Sequence, residues 1–389
     1  MRMAENAGRI HLSRAESEAS DVQAVADAVG TGWLSPVGPA LDRFEAELAE
    51  VTGRRHAVGL ASGTAALHLG LLALGVRPGD EVWISTLTFV ATANAVVHAG
   101  AHPVFFDVDS RTWTIDASLV AEELDRRVRN GGRLPAAIIP VDLYGRCADL
   151  GSVAGLLAEH GIPVFTDAAE SLGASIGERP AGSVGDAAAL SFNGNKIITT
   201  SGGGAFITDD EAAARKVRYL ATQAREPVRH YEHLEVGFNH RLSNVLAALG
   251  SSQLSTLESR VARRRAIHER YVAGLAALPG LHIVDPLLDQ DVARGDLPTR
   301  WLTCITLDPQ VAPVDRDGLI DALEAQDIES RPVWKPMHLQ PVHRSAPLFG
   351  SGDVATAAFD RGVALPSGSG LSDDDIDRVV EALRVAFST

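Results

Sequence analysis

The chain has 389 residues, 46% hydrophobic and 22% charged, a balance ordinary for a soluble globular protein and a length sufficient for two domains. Its net charge of −15 argues against non-specific nucleic-acid binding and against an anionic membrane surface, although a cleft can still hold an anionic small ligand. Cys147 and Cys304 form no CxxC, no run approaches about 18 apolar residues and the N-terminus has no apolar signal region, so a cytoplasmic protein without disulfide, metal site or membrane span is expected.

In chain order, residues 1–30 read as an N-terminal arm. Short apolar runs then alternate with helical patterns. HAVGLA (56–61) reads as a strand and GTAALHLGLLAL (63–74) as a helix. EVWIST (81–86) is a strand, FVATANAVVHAG (89–100) a helix and PVFFDVD (103–109) a strand. AAIIPVDLY (136–144), LGSVAGLLAEHG (150–161) and IPVFTDAA (162–169) read as strand, helix and strand. AAALSF (187–192) and GAFITDD (204–210) are further strands, followed by the helix EAAARKVRYLAT (211–222). This alternation predicts an α/β fold with a mostly parallel sheet whose two faces are covered by helices. Residues 31–250 are expected to form this large domain.

Residues 251–389 are expected to form a smaller α+β domain. The stretch 243–278 reads as one long helix or two abutting ones. Strands are predicted at LHIVD (281–285), RWLTCITL (300–307) and DIESRPV (327–333), helices near 315–326, 353–361 and 372–386, and a loop over 287–300.

Ligands of open α/β sheets bind beyond the carboxyl ends of the strands, and four polar features fall there. Ser62-Gly63-Thr64 opens a helix, whose free N–H groups suit a phosphate; the same hydroxyls could merely cap the helix. Thr86-Leu87-Thr88-Phe89 places an aromatic ring at the next strand end, for a ligand face or for the core. Asp167 ends IPVFTD and could pair with a cationic ring nitrogen; with Glu170 it also fits a capping box. Lys196 sits between AAALSF and GAFITDD, where a lone lysine is ordinarily a solvated charge. Taken together, an anion site, an aromatic face, an acid and a lysine are the parts that pyridoxal phosphate requires.

SGTAAL, GDEV with TFVATANAV, GAHPVFFDVD, DAAESLGA, SFNGNK with TSGGGAF, and GFNHRLSNVLAALG occur in one order over residues 30–385. This set resembles the DegT/DnrJ family of sugar aminotransferases. The resemblance implies a fold-type I pyridoxal phosphate enzyme acting as a homodimer. It implies that Lys196 is the Schiff-base lysine and Asp167 the partner of the ring nitrogen. Gly63, Thr64 and Ser191 would bind the phosphate, Phe89 would stack on the ring, and Asn239 would reach the phosphate of the neighbouring subunit. Glu170 stands where many relatives have Gln or His facing the cofactor. Relatives with His at the lysine position catalyse dehydration; Lys196 implies transamination.

DAAES, SFNGNKIITTSGGG and RPVWKPMHLQPV resemble a subgroup that aminates carbon 4 of UDP-linked 4-keto-6-deoxy-N-acetylglucosamine, with L-glutamate as donor and 2-oxoglutarate as its product. Trp334, Lys335 and His338 would then rim the sugar nucleotide. Arg229, His230 and Arg241 would offer charge-assisted contacts to its diphosphate. The runner-up is amination of another nucleotide-linked keto sugar (GDP or dTDP, at C3 or C4) or of a keto-cyclitol. Three readings from other classes remain: a different fold-type I enzyme such as a desulfurase or aldolase, a nicotinamide reductase, and a non-catalytic regulatory relative. No GxGxxG follows an early strand, which argues against the reductase.

Overall fold

The computed structural model describes residues 8–284 and 287–388. A central sheet organises the larger part. Four strands run in the order His56–Leu60, Gly204–Thr208, Ala187–Ser191, Phe165–Asp167, and four in the order Ala137–Ile139, Glu81–Ser85, His102–Phe106, Leu348–Phe349. Parallel bridges Ile138–Val164 and Val141–Asp167 join the two groups edge to edge. Gly204–Thr208 runs antiparallel to both of its neighbours, and the other pairings of the two groups are parallel. The strands are rich in Ala, Val, Ile and Phe and almost wholly buried, because helices cover both faces. The helix Gly63–Ala73 is buried from Ala65 to Leu71 and carries no charged residue, as expected of a helix enclosed on all sides.

A smaller antiparallel sheet, Leu281–Ile283, Thr303–Leu307, Gly362–Leu365 and Arg331–Pro332, packs with helices Leu257–Leu275, Arg316–Glu324 and Asp373–Ala386. Its core includes Ile267, Tyr271, Leu319, Ile376 and Leu383. Asp285, the last residue of the expected strand LHIVD, and residues 1–7 of the expected arm lie outside the described residues.

Several elements differ from the sequence pattern. The stretch 243–278 forms two helices, Asn244–Leu254 and Leu257–Leu275, parted at Ser255-Thr256. The amphipathic helix Ala117–Arg129, with Val120 and Leu124 turned inward, fills the connection between His102–Phe106 and Ala137–Ile139. Pro39–Thr52 is helical too, started by Pro39 and stopped by left-handed Gly53. The expected loop 287–300 contains the short helix Asp289–Arg294.

The expected limits at residues 30 and 250 are crossed by packing. Ile10 is buried in the smaller core and bridges Ile328, while helix Ala19–Gly30 lies on Asn244–Leu254. Leu257 and Val261 pack into the larger core. Leu348–Phe349 completes the edge of the large sheet, where Phe349 stacks on Phe106 at 5.2 Å. In each case an apolar side chain finds its burial across the boundary.

Candidate active site

The carboxyl ends of the parallel strands open onto one cavity of ≈ 290 Å³. Gly63, Thr64, Phe89, Asp167, Glu170, Ser191 and Lys196 all line it. Residues far apart in sequence meet here because parallel strands point their carboxyl ends the same way.

At one end, Ser62 caps the helix Gly63–Ala73, its Oγ accepting from Ala65 N at 3.0 Å. The capping reading therefore holds for Ser62. The N–H groups of Gly63 and Thr64 belong to the first turn, where no intrahelical acceptor exists. Bare backbone closes this corner: a Cβ on Gly204 would stand 2.5 Å from Gly63 N, and one on Gly63 would stand 3.0 Å from Ser191 Cβ. Glycine at both positions is what lets the strand Gly204–Thr208 approach the helix start.

Asp167 is the last residue of its strand and is buried. Its Oδ2 accepts from Thr92 Oγ1 at 2.7 Å and its Oδ1 from Ala169 N at 3.1 Å. Burial pushes its carboxyl above the ordinary carboxylate range, with these bonds and Lys196 pulling the other way. Residues 168–173 form turns rather than a helix, so the capping-box pattern is not realised. Glu170 faces the cavity instead, accepting from Tyr144 N at 2.8 Å and Trp334 Nε1 at 3.3 Å. Its carboxyl is likewise raised by burial.

Lys196 reaches in from the connection after Ala187–Ser191, its side chain only 13% exposed. Its Nζ lies 3.5 Å from Glu170 Oε1 and 4.1 Å from the centroid of the Trp301 ring. Phe89 ends the loop before helix Val90–His98 and stays half exposed, its ring 5.2 Å from Trp334. Trp301, like Val141 and Asn195, lines the cavity without having been expected there; a buried Trp before a strand carries no signal beyond that of core. Thr92, which orients Asp167, was read only as part of a helix.

The other expected residues divide. Trp334 lines the cavity, whereas exposed Lys335 does not. His338 turns away: its Nδ1 is 2.7 Å from Thr86 Oγ1 and its Nε2 3.2 Å from Thr356 Oγ1. Burial lowers the His338 pKa, so at neutral pH it is an uncharged strut between segments, and it does not line the cavity that it was expected to rim. Arg241 is engaged by Glu45 Oε1 at 2.5 Å and by the Gly59 carbonyl at 2.9 Å. That buried pair fixes the loop to the sheet and corrects the expectation of a diphosphate contact from this side chain. Arg229 and His230 lie on an exposed stretch outside the cavity, with His230 paired to Glu232 at 2.9 Å. Asn239 is exposed and bridges Thr222 through its backbone. Among the described residues no cluster of His, Cys, Asp or Glu could hold a metal, and no helix is long and apolar enough to cross a membrane.

With this geometry in view, the chain matches the DegT/DnrJ/EryC1/StrS aminotransferase family over residues 15–384. It is similar to EpsN of Bacillus subtilis (strain 168), provisionally a pyridoxal phosphate-dependent aminotransferase: 42% identity over 384 residues, 98% of this chain and 96% of EpsN. It is 37% identical over 377 residues to the GDP-perosamine synthase of Caulobacter vibrioides, covering 96% and 97% of the two chains. Its fold superposes on the aminotransferase TlmJ from Streptoalloteichus hindustanus with a TM-score of 0.87 at 30% identity, over 97% of this chain and 99% of that one.

Proposed function

The chain belongs to the DegT/DnrJ/EryC1/StrS aminotransferase family, and from that premise we propose that it moves an amino group from L-glutamate to the C4 keto group of a nucleotide-linked 4-keto-6-deoxy sugar, a UDP-N-acetyl sugar first. It is a pyridoxal phosphate-dependent sugar aminotransferase of fold type I. The observation that carries the reading is the meeting of Lys196, Asp167 and a bare-backbone helix start in one cavity. That convergence also weighs against a non-catalytic relative.

The residues fit the cofactor. Asp167 is a buried carboxylate whose charge lacks full compensation, and a protonated ring nitrogen would supply it. The Gly63 and Thr64 N–H groups with the Ser191 hydroxyl would hold the phosphate, and Phe89 would cover a ring face. Bound there, pyridoxal phosphate supplies the electron sink that transamination requires. Asp167 would keep the proton on the ring nitrogen. The Nζ of Lys196 would take and return the proton at the reacting carbon, first of glutamate and then of the sugar. Trp301, Trp334 and Phe89 would narrow the entrance and exclude water. Glutamate leaves as 2-oxoglutarate and the keto sugar leaves as the amino sugar.

The active form we propose is a homodimer with composite sites. Tyr231, Leu234 and Val236 are between 73% and 85% exposed on the stretch before Asn239, and Trp33 and Val37 are about half exposed. Apolar side chains on that scale call for a cover. Asn239, outside its own chain's cavity, would enter the partner's site.

A GDP-linked keto sugar is the second reading, favoured by the similarity to a GDP-perosamine synthase. A panel of UDP-, GDP- and dTDP-linked 4-keto sugars with L-glutamate, followed by mass spectrometry, separates them. The UDP-N-acetyl sugar is expected to turn over fastest. Turnover confined to keto acids or to keto-cyclitols refutes the sugar assignment.

A further inference from the structure

We infer that Trp301 is a positioning residue that holds the free amine of Lys196. The indole is only 1% exposed, yet it borders the cavity. It binds Lys196 in two ways. Its Nε1–H donates to the Asn195 carbonyl at 2.9 Å, fixing the backbone just before the lysine. Its ring stands 4.1 Å from Nζ, a cation–π distance in a largely desolvated place. Glu170 Oε1 faces the same Nζ at 3.5 Å, so the ammonium lies between an aromatic face and a carboxylate, with Asp167 as the other acid acting on it.

The segment that carries Trp301 is itself held under constraint. Arg300 has φ +57°, a left-handed conformation for a non-glycine residue. Gly145, φ +97°, passes so close that a Cβ there would stand 2.6 Å from Trp301 N. Thr299 N donates to the Gly145 carbonyl at 2.9 Å. Buried Arg264 donates to the carbonyls of Trp301 and Ser367 and to Ser13 Oγ, and Ser13 Oγ donates in turn to the Asn195 carbonyl at 3.0 Å. Tyr144, also left-handed at φ +50°, lies nearly parallel to the indole, with centroids 6.3 Å apart. The one N–H of Trp301 holds the Asn195 carbonyl, one residue before the lysine, and its ring face meets the Lys196 amine.

The inference rests on Lys196 being the reactive lysine, but its test needs no cofactor. Cofactor-free wild type, Trp301→Phe and Trp301→Leu are labelled with trinitrobenzenesulfonate across a pH series, and the Lys196 peptide is quantified by mass spectrometry. At neutral pH, Trp301→Leu is expected to label Lys196 about three- to tenfold faster than wild type, with Trp301→Phe between them, because the ring no longer favours the charged amine. At the alkaline end the rates should converge, since a neutral amine is not drawn to the ring. Equal rates at neutral pH overturn the inference. So does a gap of constant size across the series, which mere loosening of the core would produce. Should Trp301→Leu not fold, Trp301→Phe decides: an intermediate rate that converges supports the inference, and the wild-type rate refutes it. Failure of the cofactor to attach at Lys196, read separately by borohydride reduction, would instead strike the functional reading.

Discussion

The cavity and the stretch 226–238 are opposite departures from ordinary packing. The cavity buries charge: Asp167, Glu170 and Lys196 sit among Trp301, Trp334 and Val141, and burial raises both carboxyls. The stretch 226–238 exposes apolar surface: Tyr231, Leu234 and Val236 are among the most exposed large hydrophobic side chains of the described residues. Buried charge is tolerated where a counter-charge arrives, and exposed apolar area where a second surface does. The contrast separates the two halves of the proposed function: a small cationic and phosphorylated group would complete one region, and a second copy of the chain would cover the other.

The largest expected effect breaks the first region outright. Lys196→Ala should lose all measurable transamination and should no longer retain a borohydride-fixed cofactor on the peptide 191–204. A fixed label on a different lysine would remove Lys196 from its role. Asp167→Asn is the subtler break. The amide keeps the shape and the bond from Thr92 but cannot hold a proton on the ring nitrogen. Turnover is expected to fall by on the order of a hundredfold or more, as for removal of one preorganised charge, with visible absorbance of bound cofactor retained. Near-native turnover in a folded variant would sink this role.

The second region is tested by complementation. Lys196→Ala and Asn239→Asp are each expected to be nearly inactive alone. If Asn239 completes the neighbour's site, a hybrid dimer has one whole site and one doubly broken site. Random mixing makes half the dimers hybrid, so activity should return to roughly a quarter of wild type by two-fold counting. Native mass spectrometry of tagged chains shows whether subunits exchange. Proven exchange without recovered activity would place Asn239 in its own chain's site or outside any site.

How much of this was legible in the sequence follows from how local each signal is. Lys196, Asp167 and Gly63 are readable because each ends or follows a predicted strand, and parallel topology brings strand ends together. Glu170 is readable as cofactor-facing only through the family resemblance, since by spacing alone a capping box and a turn are alike. Arg241 misleads because its partner, Glu45, lies 196 positions away. His338 misleads for the same reason, with Thr86 252 positions off. Trp301 is hidden because a core tryptophan and a cavity wall have one and the same pattern. The helix Ala117–Arg129 is obscured by its many charges, which dilute the apolar stripe of Val120 and Leu124. The domain limits blur because Ile10 and Phe349 find their burial far along the chain.

The smallest expected effect separates two kinds of buried acid beneath the cavity. Asp167 borders the cavity and can meet an incoming cation. Asp142 lies behind it: its N–H donates to the Asp167 carbonyl at 2.9 Å, and its carboxylate accepts from Ala148 N at 2.8 Å and Ser171 Oγ at 2.6 Å. Asp142 does not line the cavity, whereas Asp167 does. Burial pushes its carboxyl up to about 7, whereas an unfolded chain titrates near 3.9. Between those values the folded state keeps a proton that the unfolded state has released. Stability contributed by Asp142 is therefore full below the unfolded value and is lost as pH rises through the folded one. Asp142→Asn removes that titration while retaining an acceptor for Ala148. Thermal midpoints of wild type should fall by a few degrees more than those of Asp142→Asn between pH 5 and pH 8, roughly the size expected for a single group in a large chain. The other raised carboxyls, Asp167 and Glu170, are present in both proteins, and the difference carries Asp142 together with the repulsion that Asp167 exerts on it. Cofactor should lift both midpoints and leave most of the difference, because burial is the first cause of the Asp142 shift and repulsion from Asp167 a lesser one. Parallel curves for the two proteins would show that Asp142 keeps its charge in the fold, and a difference abolished by cofactor would show that the two acids act as one site.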